Sequence, residues 1–128
     1  MVSLEHFELH TGYATFRPEG PSTVRGFLSL LAQAMEACHE NGVTRLLVDG
    51  RNLTHTPFNT VERFELGSGL AAFWDRAIKL AIVGRPDQID PEQFSRFVAE
   101  NRGLPHTIHE SEAEALSHLL AKAPETEQ

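Results

Sequence analysis

Asp49-Gly50-Arg51-Asn52 follows the apolar run Leu46-Leu47-Val48, and Gly84-Arg85 follows Ala81-Ile82-Val83. Arginines leaving the carboxyl ends of neighbouring parallel strands suit recognition of a carboxylate or phosphate. Each guanidinium is a planar fork of donors, and a helix starting near Asn59 or Asp90 adds the positive end of its dipole. Asp49 is placed to orient one arginine, and His109 leaves a third such strand. Asp49, Arg51, Asn52 and Arg85 are therefore the candidate ligand- or partner-binding residues. The competing reading has Asp49 tying down its own turn, with the arginines solvated or paired with nearby acids.

Other signals lose their force in context. The stretch GSGLAA, Gly67 to Ala72, fits a dinucleotide-binding pattern, but that pattern must leave a strand and open a helix, whereas here it follows NTVERFEL, already helical in character. Small-residue packing is the simpler reading. Neither a phosphate-binding Walker loop nor a GxSxG nucleophile elbow is present. The seven histidines are dispersed: His106 and His109 point to opposite faces of a strand, while His6, Glu8 and His10 share an exposed strand face. No metal site and no cofactor are expected. Glu110, Glu112 and Glu114 crowd a helix start, where negative charge is favoured structurally. Thr54, Thr56 and Thr60 are candidates for modification rather than nucleophiles, and no catalytic residue is assigned.

The elements that position these residues follow from periodicity. LEHFELH, residues 4 to 10, alternates with Phe7 and Leu9 on one face, and YATF follows across Thr11-Gly12 as the second arm of a hairpin. RPEGPS breaks the pattern. Val24, Phe27, Leu28, Leu31, Ala34, Met35 and Cys38 then recur at helical spacing up to ENG, where Gly42 suits the left-handed position after a helix end. TRLLVDG reads as a strand covered on both faces. Asn59 with Glu62 caps a second helix whose apolar surface is Val61, Phe64, Leu70, Phe73 and Trp74, with a bend or break expected near GSG. AIKLAIVG is a further strand, and Asp90-Pro91 opens a third helix carrying Phe94, Phe97 and Val98. PHTIH is a short strand, and Ser111 with Glu114 caps a last helix bearing Leu116, Leu119 and Leu120. The expected fold is thus α/β, a single-domain mixed sheet of about five strands with an N-terminal β-hairpin followed by αβαβαβα. The domain is expected over residues 1–123, with 124–128 a flexible tail.

Composition narrows the function classes. A chain of 128 residues with 41% apolar content supports one core. A net charge of -7 and the lack of a basic run disfavour nucleic acid and anionic membranes as partners. No apolar run approaches a membrane span, and MVSLEHFELH has no signal-peptide pattern, so a cytoplasmic protein is expected. The single cysteine, Cys38, lies among the apolar positions of a helix and reads as a buried thiol.

TRLLVDGRNL followed by a helix, IKLAIVG, another helix and ESEAEALSHLL resembles STAS-type domains, and more narrowly the bacterial anti-anti-sigma-factor-like branch whose fold is also compared to lipid-binding CRAL-TRIO domains. The resemblance spans about residues 4 to 121. It implies a mixed sheet flanked by helices and a role in protein interaction or small-ligand sensing instead of catalysis. Asp49 matches the strand-end Asp of that family, whereas the DSSG-type phosphoacceptor motif of its signalling members is absent, and Ser68 in GSGL falls within the expected helix.

Two function classes are carried forward beside a third, an enzyme, for which no acid/base pair or nucleophile can be assembled. The first is a non-enzymatic STAS-like regulatory or protein-interaction domain docking through the loop from Asp49 to Thr60 and the adjacent helix, with another protein as partner. The second is a binder of a small anionic or lipid-like ligand, with Phe58, Phe64, Phe73 and Trp74 lining a pocket and Arg51 or Arg85 holding an acidic group. A homodimer through a sheet edge or helix face is compatible with either.

Overall fold

The computed structural model describes residues 6–54, 60–75, 77–85 and 106–120. The described strands β1 (Phe7–His10), β2 (Tyr13–Phe16), β3 (Gly20–Pro21), β4 (Arg45–Asp49), β5 (Leu53–Thr54), β6 (Lys79–Val83) and β7 (His106–His109) are accompanied by helices α1 (Val24–Glu40), α2 (Thr60–Phe73) and α3 (Glu112–Leu120). The main sheet has five strands in the order β1-β2-β4-β6-β7. β1 and β2 form the antiparallel hairpin, and the remaining pairs are parallel. The expected mixed sheet with its opening hairpin and alternating elements is the observed one. The third helix opened by Asp90-Pro91, the cap Asn59 and the tail 124–128 lie outside the described residues.

Spatial order follows chain order, so every crossover between parallel strands moves the same way. Right-handed crossovers then put α1 and α2 on one face of the sheet and leave α3 for the other. The core divides accordingly. Ala14, Phe16, Leu46, Val48 and Leu80 pack with Leu31, Ala34, Cys38, Leu70 and Trp74. Leu47, Ala81 and Val83 pack with Ala115 and Leu119 on the opposite face. Period-two alternation within β4 thus feeds two cores, which is why its apolar run is continuous.

Local chemistry sets the ends of α1. The Thr23 hydroxyl accepts from the Gly26 amide at 3.0 Å, an N-cap. At the other end, Val43 N–H reaches the Cys38 carbonyl at 2.9 Å and Gly42 N–H the His39 carbonyl at 3.3 Å. This is a Schellman closure, and the φ of 66° at Gly42 makes it possible. Cys38 is 0% exposed, and burial pushes its thiol up to about 11. Labelling by a disulfide reagent at pH 8 is expected to follow the unfolding rate; rapid stoichiometric labelling of native protein would contradict this placement.

Three expectations are corrected. α2 runs unbroken from Thr60 to Phe73 through GSG. A methyl group at Gly69 would stand 2.7 Å from Leu28 Cδ1, so the glycine leaves room for the Leu28 side chain of α1. Val61 and Phe64 do not supply buried surface: they are 66% and 58% exposed, whereas Leu70 and Trp74 at the far end of the helix are buried. The RPEGPS stretch, expected only to break the pattern, contributes β3, which pairs in parallel with β5 as Gly20↔Leu53 and Pro21↔Thr54.

Candidate functional site at the carboxyl edge of the sheet

Strand phase decides which side chains meet here. Register aligns Thr15 with Leu47 and Leu47 with Ala81, so Thr15, Leu47, Asp49, Ala81 and Val83 all face α3. Arg17 continues the phase of Tyr13 and Thr15 beyond β2. Glu112 opens α3, whose start is fixed by Ser111: its hydroxyl accepts from Glu114 N–H at 3.2 Å. Arg17, Asp49, Arg51 and Glu112 are therefore brought together from three separate parts of the chain.

Asp49 is 2% exposed and receives both arms of Arg51, Nε to Oδ1 at 2.9 Å and Nη2 to Oδ2 at 2.7 Å, while the Arg51 amide adds a third bond to Oδ1 at 3.0 Å. Burial pushes its pKa upward, but the hydrogen bonds from the Arg51 side chain and amide, with the charge of the guanidinium, outweigh it and hold Asp49 at about 2. Arg17 grips Glu112 in the same bidentate manner, Nε to Oε2 at 2.7 Å and Nη2 to Oε1 at 2.9 Å. Arg51 Nη2 also lies 3.8 Å from Glu112 Oε2, linking the two pairs. The Arg17 guanidinium reaches Glu8 at 3.4 Å and the Thr15 hydroxyl at 3.3 Å, and its ionisation is pushed above its ordinary value chiefly by the bond to Glu112.

β4 and β6 are neighbours, as the convergence of Arg51 and Arg85 requires. Their guanidinium groups nevertheless take different tasks. Arg51 holds the Asp49 carboxylate; Arg85 Nη1 donates to the carbonyls of Arg51 and Leu53, bracing the turn between β4 and β5. Asn52 is exposed, and its carbonyl accepts from Gly20 N–H at 3.1 Å. Thr54 is exposed at the end of β5, and its carbonyl accepts from Ser22 N–H at 3.0 Å. Thr56 lies outside the described residues, and Thr60 is placed only as the first residue of α2.

Arg17 and Glu112 were missed as site residues in the sequence. The signal for Arg17 was the alternation of β2 carried one step past Phe16. The signal for Glu112 was a helix start facing that same side, but its partner lies 95 residues away and only the fold reveals it.

Chemically, this arrangement is a neutralised rim. An incoming carboxylate or phosphate must displace Glu112 from Arg17 or Asp49 from Arg51, and the second carboxylate is buried. His10 Nε2 lies 3.0 Å from the Thr15 hydroxyl, but Glu8 approaches the same nitrogen at 3.7 Å, so no chain of groups runs through the ring and Thr15 itself is 3% exposed. Phe64 projects outward while Trp74 is buried with its Nε1 donating to the Ile78 carbonyl at 2.9 Å, so these two do not line a common pocket. Phe58 lies outside the described residues. Among the described residues no group of three His, Cys, Asp or Glu side chains is arranged to hold a metal ion, and no helix is long and apolar enough to cross a membrane.

Fold and rim together define a small single-domain α/β protein with a mixed sheet. No protein-family model and no curated protein matches the chain.

Proposed function

We propose that the chain is a non-enzymatic STAS-like regulatory domain that works by docking another protein through the loop after β4 and the first turns of α2. The observation that carries this reading is the pair of exposed apolar side chains Val61 and Phe64, one helical turn apart, at the start of the helix that follows the braced turn. Residues three apart on a helix form one contact surface, and an outward-facing aromatic is the kind of anchor that dominates interface energetics. Glu62 and the exposed Glu65 stand beside them, favouring a partner with an apolar recess and a basic rim. The turn that feeds this surface is held on both sides, by the Asp49–Arg51 pair and by Arg85, which supports a preformed docking element. A phosphoryl group on Thr54 would add negative charge beside that element and alter its complementarity. The resemblance of the chain's element order to the bacterial STAS branch, and the cytoplasmic setting that goes with it, belong to this proposal.

The test is photo-crosslinking in cells from a reporter placed at Phe64, together with co-purification using V61S/F64S. Because both positions are exposed, stability should change by no more than about 0.5 kcal/mol. A specific crosslinked partner that V61S/F64S fails to retain supports the proposal. A partner retained by V61S/F64S, or lost equally with Leu120→Ser on α3, sinks it.

A further inference from the structure

We propose that β1 is a self-pairing edge, joining two copies of the chain through antiparallel β1–β1′ contact centred on Leu9. Among the described residues β1 ends the sheet, and three of its four residues, Glu8, Leu9 and His10, are exposed. The direction of its backbone groups follows from the hairpin. Arg17 N–H donates to the His6 carbonyl at 3.0 Å, and hydrogen-bonded pairs in an antiparallel ladder recur every second residue. The pairs Glu8↔Thr15 and His10↔Tyr13 therefore bond inward, and the amides and carbonyls of Phe7 and Leu9 point to the open side.

A two-fold axis can use those outward groups in few ways. Centring it on Glu8 places two carboxylates directly opposite each other, which is unfavourable. Centring it on Leu9 exchanges two Leu9 backbone bonds across the axis, sets Phe7 opposite Thr11 of the second copy, and brings Glu8 against His10 of the second copy on the α3 side. Leu9, 52% exposed on the other side, then buries against its own symmetry mate. His10 is already held upright for this contact, stacked on Tyr13 at 4.6 Å with its Nε2 3.0 Å from the Thr15 hydroxyl. Centring it on Phe7 would set Glu8 against His6 of the second copy, but His6 has a φ of 65°, outside the extended range a ladder needs, so the Leu9 register is the one in which an acid and an imidazole of the strand itself meet. The result is a continuous ten-stranded sheet from two copies of the five-stranded one.

The contact is short, so association belongs at the weak end of specific interfaces, with dimer accumulating between roughly 10 and 500 µM. Sedimentation of the intact chain over that range should show it. Glu8→Lys should shift the midpoint upward several-fold, and E8K/H10E, which swaps the charges, should restore it. Register is read independently in a Cys38→Ala background by mixing chains carrying Glu8→Cys with chains carrying His10→Cys. Opposed residues of the non-hydrogen-bonded pair lie about 4.5 Å apart, close enough for a disulfide, so the mixed disulfide should form about tenfold faster than either homodisulfide. Wild type that stays monomeric throughout overturns the proposal, whether or not the edge captures a strand of another protein. Faster disulfide formation between two Glu8→Cys chains overturns the register.

Discussion

Arg51→Ala is expected to lower the unfolding free energy by about 3 kcal/mol at pH 7, far more than the loss of an exposed ion pair, because it strands a carboxylate that water cannot reach. In the wild type, Asp49 has a folded pKa of about 2 against an ordinary value of 3.8. A depressed carboxyl pKa contributes stability that is fully present above the ordinary value and is lost as pH falls through the folded one. Wild-type stability should therefore decline between about pH 4 and pH 2 from this group. Without the guanidinium, burial dominates and raises the folded pKa, so the contribution changes sign: neutral pH penalises the fold and mild acid relieves the penalty. Urea unfolding at pH 7, 5, 4 and 3 measures both effects. D49N/R51A, which removes the charge as well as its partner, should recover part of the loss. A decrease below about 1 kcal/mol in Arg51→Ala would mean the pair behaves as a solvated surface contact.

Trp74→Ala should destabilise the protein by about 4 kcal/mol, since it empties a large volume between α1, α2 and the sheet. Trp74 is 3% exposed. Trp74→Phe should lose about 1 to 2 kcal/mol, chiefly because the Ile78 carbonyl, bonded to the indole at 2.9 Å, is left without that donor. As the chain has one tryptophan, wild-type unfolding is followed by its red-shifting emission and the variants by circular dichroism. The same substitution bears on docking. Trp74 and Leu70 fasten the far end of α2, so loosening them should weaken partner capture through Val61 and Phe64 even though neither residue is touched. Trp74→Ala that matched wild type in stability would remove it from the core.

Element types and order were legible because they rest on local rules: alternation in β1, helical spacing from Val24 to Cys38, the left-handed glycine at 42, the Ser111 cap. What escaped the sequence depends on the third dimension. Val61 and Phe64 share the composition of core residues, and nothing local distinguishes an apolar residue facing a neighbour from one facing solvent. Gly69 suggested a break because helix propensity counts its missing side chain only as a loss, whereas in the fold the Leu28 side chain packs into the space that absence leaves. At the site, Asp49 and Arg51 lie two residues apart and their pairing was one of the readings the sequence left open. Arg17 and Glu112 needed the strand order and the side of the sheet on which α3 lands. Arg85 was rightly placed at a strand end beside Arg51, but that the fork would grip backbone carbonyls is decided by the shape of the β4–β5 turn.

The unreversed order of the sheet also bears on how the molecule comes into being. During synthesis each strand emerges to find the preceding one already available as a template, so assembly can proceed by accretion from the hairpin outward, with loop closure kept short at every step. The contacts of α3 stand outside that sequence. Arg17 waits at the end of β2 until the last described helix delivers Glu112, and their union crosses back over the finished sheet. It makes the clasp a late contact: a nascent chain halted before α3 would leave Leu47, Ala81 and Val83 without Ala115 and Leu119, and Arg17 with only Glu8 and Thr15.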